Sequence, residues 1–153
     1  PVTRLLEALE AEKIRYMLIG MSAAVVQGVM ETTLDVDVWI DLPARQYMRV
    51  QNLARRASCV PAANTVVYAA DGTPINFVYE VNGLGSFQRG FKHTVRLPFC
   101  EKKVPVLKPE RILKSKESIR RDKDLPHITQ IRELLRCRRA VKTGQKSFGR
   151  SSK

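Results

Sequence analysis

The stretch Asp35-Val36-Asp37-Val38-Trp39-Ile40-Asp41 constrains this chain more than any other. Val36, Val38 and Ile40 fall at every second position, which asks for a strand whose side chains alternate between two faces. The three aliphatics then point one way, and Asp35, Asp37, Trp39 and Asp41 point the other. Asp35 and Asp37 sit about 6–7 Å apart along such a strand. Left unpaired they repel by ~0.6 kcal/mol in water and several times that near protein. A divalent cation between them reverses the sign, and Mg²⁺ suits one or two carboxylates, several waters and phosphate oxygens.

The rest of the chain supplies elements for that strand (35–41) to pack against. Leu5, Leu6 and Leu9 predict an amphipathic helix over 2–12. Residues 14–20 read as a buried strand ending at Gly20, and 22–29 as a small apolar helix. Pro43 opens a helix over 43–58 with Tyr47, Val50, Leu53 and Ala54 on one stripe. Residues 64–81 form a hairpin turned by Asp71-Gly72. A Gly-rich loop spans 82–93, a strand or strand pair lies in 94–107, and helices cover 109–119 and 125–141. This order predicts an α/β (α+β) fold, a small mixed sheet flanked by helices, with C-terminal helices.

The chain's 153 residues make one domain, expected over 1–141. The stretch 142–153 is basic, lacks an apolar pattern and is expected to be disordered. No apolar run approaches the ~18–20 residues of a membrane span, and the N-terminal residues do not form a signal peptide. Cys59, Cys100 and Cys137 are scattered, without metal-ligand spacing, and read as reduced thiols of a cytoplasmic protein. Residues 1–85 carry 7 Lys/Arg against 9 Asp/Glu, net −2, and residues 86–153 carry 20 against 6, net +14. That asymmetry points to an anionic partner for the second half; the competing reading is a solubilising surface.

A helix beginning after Gly20 offers free backbone N–H groups to a phosphate beside the paired aspartates. Taken together, Ile19-Gly20-Met21, thirteen further residues and then Asp35-Val36-Asp37 resemble the nucleotidyltransferase superfamily that includes DNA polymerase beta and kanamycin nucleotidyltransferase. Within it the chain is most similar to small bacterial abortive-infection and toxin–antitoxin nucleotidyltransferases. These carry a later lysine and an Arg-x-Lys-Asp segment, matched here by Lys116 and by Arg121-Asp122-Lys123-Asp124. The resemblance covers about residues 15–135. It implies metal at Asp35 and Asp37, Mg²⁺ or Mn²⁺, and a nucleoside triphosphate against Gly20, Ser22, Thr33, Lys116, Arg121 and Lys123.

Four positions depart from the family pattern. Met21 replaces a second Gly or Ser, with Ser22 one residue late; Glu31 stands for an arginine, and Gln27 for a histidine. Most consequentially, Asn76 stands where the third catalytic carboxylate belongs, and an amide cannot accept a proton near neutral pH. Lys116 falls on the buried stripe of its helix with Ile112, Leu113 and Ile119, so it either meets a buried anion or snorkels to water. Asp124 suits the N-cap of the last helix. Trp39, Phe87 and Phe91 either flank a base or pack.

Two functions follow from the resemblance. One is metal-dependent transfer of a nucleoside monophosphate from NTP to an acceptor, either nucleic acid such as tRNA or a partner protein. The other is a catalytically weak or inactive module of the same fold, binding nucleic acid (RNA included) or a partner protein through its basic half.

Overall fold

The computed structural model describes residues 1–31 and 35–151, with side chains to residue 143. Helix α1 (Val2–Ala11) buries Val2, Leu5, Leu6 and Leu9, which fall on one stripe at helical spacing. Strand β1 (Tyr16–Ile19) is buried throughout. Helix α2 (Gly20–Val26) begins two residues earlier than its composition suggests, because Gly20 turns the chain at φ +63° straight out of the strand. Strand β2 (Val36–Ile40) follows. A 3-10 turn at Ala44–Gln46 leads into α3 (Tyr47–Arg56), so Pro43 precedes a tighter turn than the expected single helix.

Next come β3 (Val60–Ala63), β4 (Val66–Tyr68) and β5 (Pro74–Val78). The turn between β4 and β5 is built as Asp71-Gly72 demands, with Asp71 Oδ1 accepting from the Thr73 N–H at 3.0 Å and Gly72 at φ +87°. Strand β3 is a mostly exposed edge of small residues, and its Val-Pro-Ala-Ala run gives no alternation to read. The Gly-rich loop contains a short helix, α4 (Phe87–Phe91), whose cap is Ser86 accepting from the Arg89 N–H. Strands β6 (Thr94–Phe99) and β7 (Lys102–Leu107) form the second hairpin. Helix α5 (Pro109–Ile119) has the expected bounds.

Helix α6 (Leu125–Ser151) runs on past 141, where the last helix was expected to end. Its apolar stripe ends before that point, and the extension continues a helix already nucleated, where each added residue gains one backbone bond.

The sheet has seven strands in the order β3-β4-β5-β2-β1-β7-β6. It is mixed: β2 with β5 and β1 with β7 run parallel, while the remaining pairs, including β1 with β2, are antiparallel. Both faces are covered, so Val38, Ile40 and Trp39 are all buried although they point to opposite sides. Helix α4 lies on the face that carries Asp37 and Trp39, where a Cβ on Gly90 would meet Trp39 Cζ3 at 2.6 Å. Among the described residues no helix is long and apolar enough to cross a membrane.

Candidate functional site

Antiparallel pairing of β1 with β2 sets Ile19 opposite Asp37, and parallel pairing of β2 with β5 sets Asp37 opposite Asn76. Three strands thus bring the end of β1, the start of β2 and the middle of β5 to one place. Gly20 is required there twice over. Its φ is left-handed, and a Cβ would lie 2.5 Å from Asp37 Oδ2. Glycine at 20 is what leaves the Asp37 carboxylate its position.

Asn76 completes the group. Its Nδ2 donates to Asp37 Oδ1 at 3.1 Å and reaches Asp35 Oδ2 at 3.4 Å. The amide therefore occupies the corner expected of a third carboxylate and lies between the two acids. Burial pushes the Asp37 carboxyl above its usual range, the Asn76 hydrogen bond opposes that, the Asp35 charge adds to it and Lys116 opposes it. Asp35 is exposed and Asp37 half-buried, so the pair opens to solvent.

Ser22 has a task its position in the motif did not suggest. It is 3% exposed, donates to the Ile19 carbonyl at 2.9 Å and accepts from the Asp37 N–H at 3.1 Å. Its hydroxyl pins β1 to β2 at the site instead of facing outward toward a phosphate. Thr33 lies outside the described residues.

Lys116 is on the inner side of α5, where its Nζ stands 3.6 Å from Asp124 Oδ1. Asp124 is 3% exposed and also accepts from Arg121 Nε at 2.8 Å. Burial works to raise the Asp124 carboxyl, but the Arg121 hydrogen bond and the charges of Lys116 and Arg121 outweigh it and hold it below the usual range. Asp124 was expected as a cap for the last helix; among the described residues no backbone N–H donates to its carboxylate, which clamps α5 to the segment entering α6 instead. Arg121 is half exposed beside it, and Lys123 is exposed.

The departures at 27 and 31 have structural partners. Gln27 Nε2 donates to the Ala23 and Leu107 carbonyls, and Glu31 accepts from Gln130 Nε2 at 2.6 Å. Trp39 packs: it is 1% exposed, donates Nε1–H to the Tyr79 carbonyl and meets Phe87 edge-on at 5.5 Å. Phe87 stacks on Phe91, and the Arg15 guanidinium lies over both rings.

Among the described residues no three His, Cys, Asp or Glu side chains come together as a metal site. Asp35 and Asp37 offer the hard-oxygen donor set, and the Asp37 carboxyl is raised first by burial and then by the Asp35 charge, a repulsion that a cation between them would offset. Such a pair fits Mg²⁺ shared with phosphate oxygens. Four surface cavities, of about 370, 570, 390 and 520 Å³, lie elsewhere on the molecule.

No family model matches the sequence, and no curated protein matches it either. Solved structures do. A lincosamide antibiotic adenylyltransferase, LnuA, in its lincomycin-bound form, superposes with a TM-score of 0.56 at 16% identity, covering 87% of this chain and 95% of that one. ANT(2″)-Ia in complex with adenylyl-2″-tobramycin gives 0.56 at 10% identity, covering 99% and 97%. An antigenic nucleotidyltransferase-like protein from Paracoccidioides brasiliensis gives 0.53 at 18% identity, covering 85% and 73%. At such identities the likeness is one of fold. The chain has the nucleotidyltransferase fold.

Proposed function

We propose that the chain is a metal-dependent nucleotidyltransferase that moves a nucleoside monophosphate from an NTP to a nucleic-acid acceptor in the cytoplasm. One observation carries this reading: Gly20, Asp35, Asp37 and Asn76 converge from three strands, with glycine required against the Asp37 carboxylate. Asp35 and Asp37 would hold Mg²⁺ (or Mn²⁺), which when bound draws charge from the phosphates. Lys116 already bears on Asp37 electrostatically and offsets further negative charge. Asn76 orients both carboxylates through its amide. The acceptor hydroxyl attacks the α-phosphorus, the new P–O bond forms, the bond to the β-phosphate breaks and pyrophosphate leaves.

Asn76 cannot take the hydroxyl proton, so that proton passes to solvent or to the acceptor's own phosphate. Transfer without a protein base is slow near neutral pH and rises with pH. A net charge of +12 attracts a polyanion, which favours nucleic acid as acceptor. Incubation with α-labelled triphosphates, Mg²⁺ and RNA tests the reading. Label in RNA, lost in Asp35→Ala/Asp37→Ala, supports it; label in a partner protein keeps the chemistry and replaces the acceptor.

The position of Asn76 between the two acids favours a second reading, a silent module that binds nucleotide or nucleic acid. No pyrophosphate from the wild-type chain under any triphosphate, with RNA binding intact, is the result that selects it.

A further inference from the structure

Away from the aspartates, four cations converge on a cavity of about 390 Å³ between the Gly83–Gly85 loop, α4, the start of β6 and α5. Arg89, Lys92, Arg111 and Lys114 line it together with His93, and no carboxylate does. Among the described residues none of the four forms an ion pair with an acid. Like charges held this close cost free energy unless an anion joins them.

The walls are fixed by packing. A Cβ on Gly83 would lie 2.9 Å from Ser118 Oγ, so the loop sits directly on α5. Arg111, Lys114 and Ser118 recur at helical spacing on one face of α5, while Lys116 points off that face toward Asp124. Arg111 donates to His93 Nε2, and the His93 backbone is tied at both ends, its N–H to the Gly90 carbonyl and its carbonyl to the Lys108 N–H. Burial and the charges of Arg111, Lys108, Lys114 and Lys92 hold the imidazole below its usual range and therefore neutral.

We propose that this pocket binds a phosphate group of a nucleic-acid strand, the acceptor of the transfer above. Two guanidinium forks and two ammonium groups suit the several oxygens of a phosphate better than a single carboxylate. A strand is favoured over a lone phosphate because residues 86–153 carry a net +14, which offers neighbouring phosphates their own cations. Only the word acceptor rests on the function proposed above; the binding does not.

The test is fluorescence anisotropy with labelled oligo-uridylate across a salt series. The variant Arg89→Ala/Lys92→Ala/Lys114→Ala removes exposed side chains alone. It should bind about tenfold more weakly, with a salt slope smaller by about 0.7, as expected for one lost single-strand phosphate contact. The equally charged control Arg45→Ala/Arg55→Ala/Arg56→Ala, on the exposed surface of α3 and the turn before it, should lose less than about threefold. Equal weakening by both sets, or no weakening by the first, overturns the proposal. So does a pocket variant that loses inorganic phosphate, measured by calorimetry, while keeping RNA. Asp35→Ala/Asp37→Ala should keep RNA affinity, so a wild-type chain that binds through the pocket yet transfers nothing sinks the catalytic reading alone.

Discussion

At Asn76 a single atom separates two chemistries. The amide donates to both aspartates, where a carboxylate would take a proton from the acceptor. Asn76→Asp should raise the transfer rate near pH 7 by about 10²–10⁴-fold, the usual worth of a general base, as read in a pyrophosphate-release assay. The same change puts a third negative charge beside two others and should lower the metal-free Tm. Asp37 works in the opposite sense. Its carboxyl is raised on folding, so the folded state binds that proton more tightly than the unfolded chain. Its contribution to stability is greatest below the ordinary value of 3.8 and falls as pH rises through and above it. Asp37→Asn should therefore raise the metal-free Tm at pH 7 by about 2–4 °C, what ~1 kcal/mol gives a chain of this size. Calorimetric scans should show Mg²⁺ with nucleotide raising the wild-type Tm and leaving Asp37→Asn unmoved.

At the scale of elements, the site depends on two joints. Ser22 joins β1 to β2, and Ser22→Ala leaves the Ile19 carbonyl and the Asp37 N–H unpaired in a buried place. The expected cost is ~1–3 kcal/mol, seen in urea unfolding as a lower midpoint with an unchanged m-value. The second joint ties α5 to the chain entering α6 through Asp124, Lys116 and Arg121. Asp124→Ala strands the Lys116 ammonium and should cost ~3–5 kcal/mol, while adding Lys116→Met should recover part of the loss. Because the Asp124 carboxyl is lowered on folding, its contribution is full above the ordinary value of 3.8 and disappears as pH falls below it. Acid titration of wild type against Asp124→Asn isolates that window.

At the scale of the whole molecule, the near-neutral half builds most of the sheet and the carboxylate corner, and the +14 half adds one hairpin and the basic helices. What the sequence by itself determined is local. Leucine spacing specified α1, Asp71-Gly72 the turn, Pro109 the start of α5, and valine alternation the strand whose face holds Asp35 and Asp37. Period and turn chemistry act over a few neighbours, so they can be read without the fold. The glycine-to-aspartate distance in sequence also foretold that Gly20 and Asp37 meet. Strand β3 and helix α4 stayed unread because weak local preferences there yield to pairing and packing. Tertiary structure alone decided that Ser22 faces inward, that Asp124 clamps Lys116 and that four cations from α4 and α5 share one pocket. Each depends on where a strand register or a helix rotation sends a side chain, and such an orientation is fixed only when distant segments bury against one another.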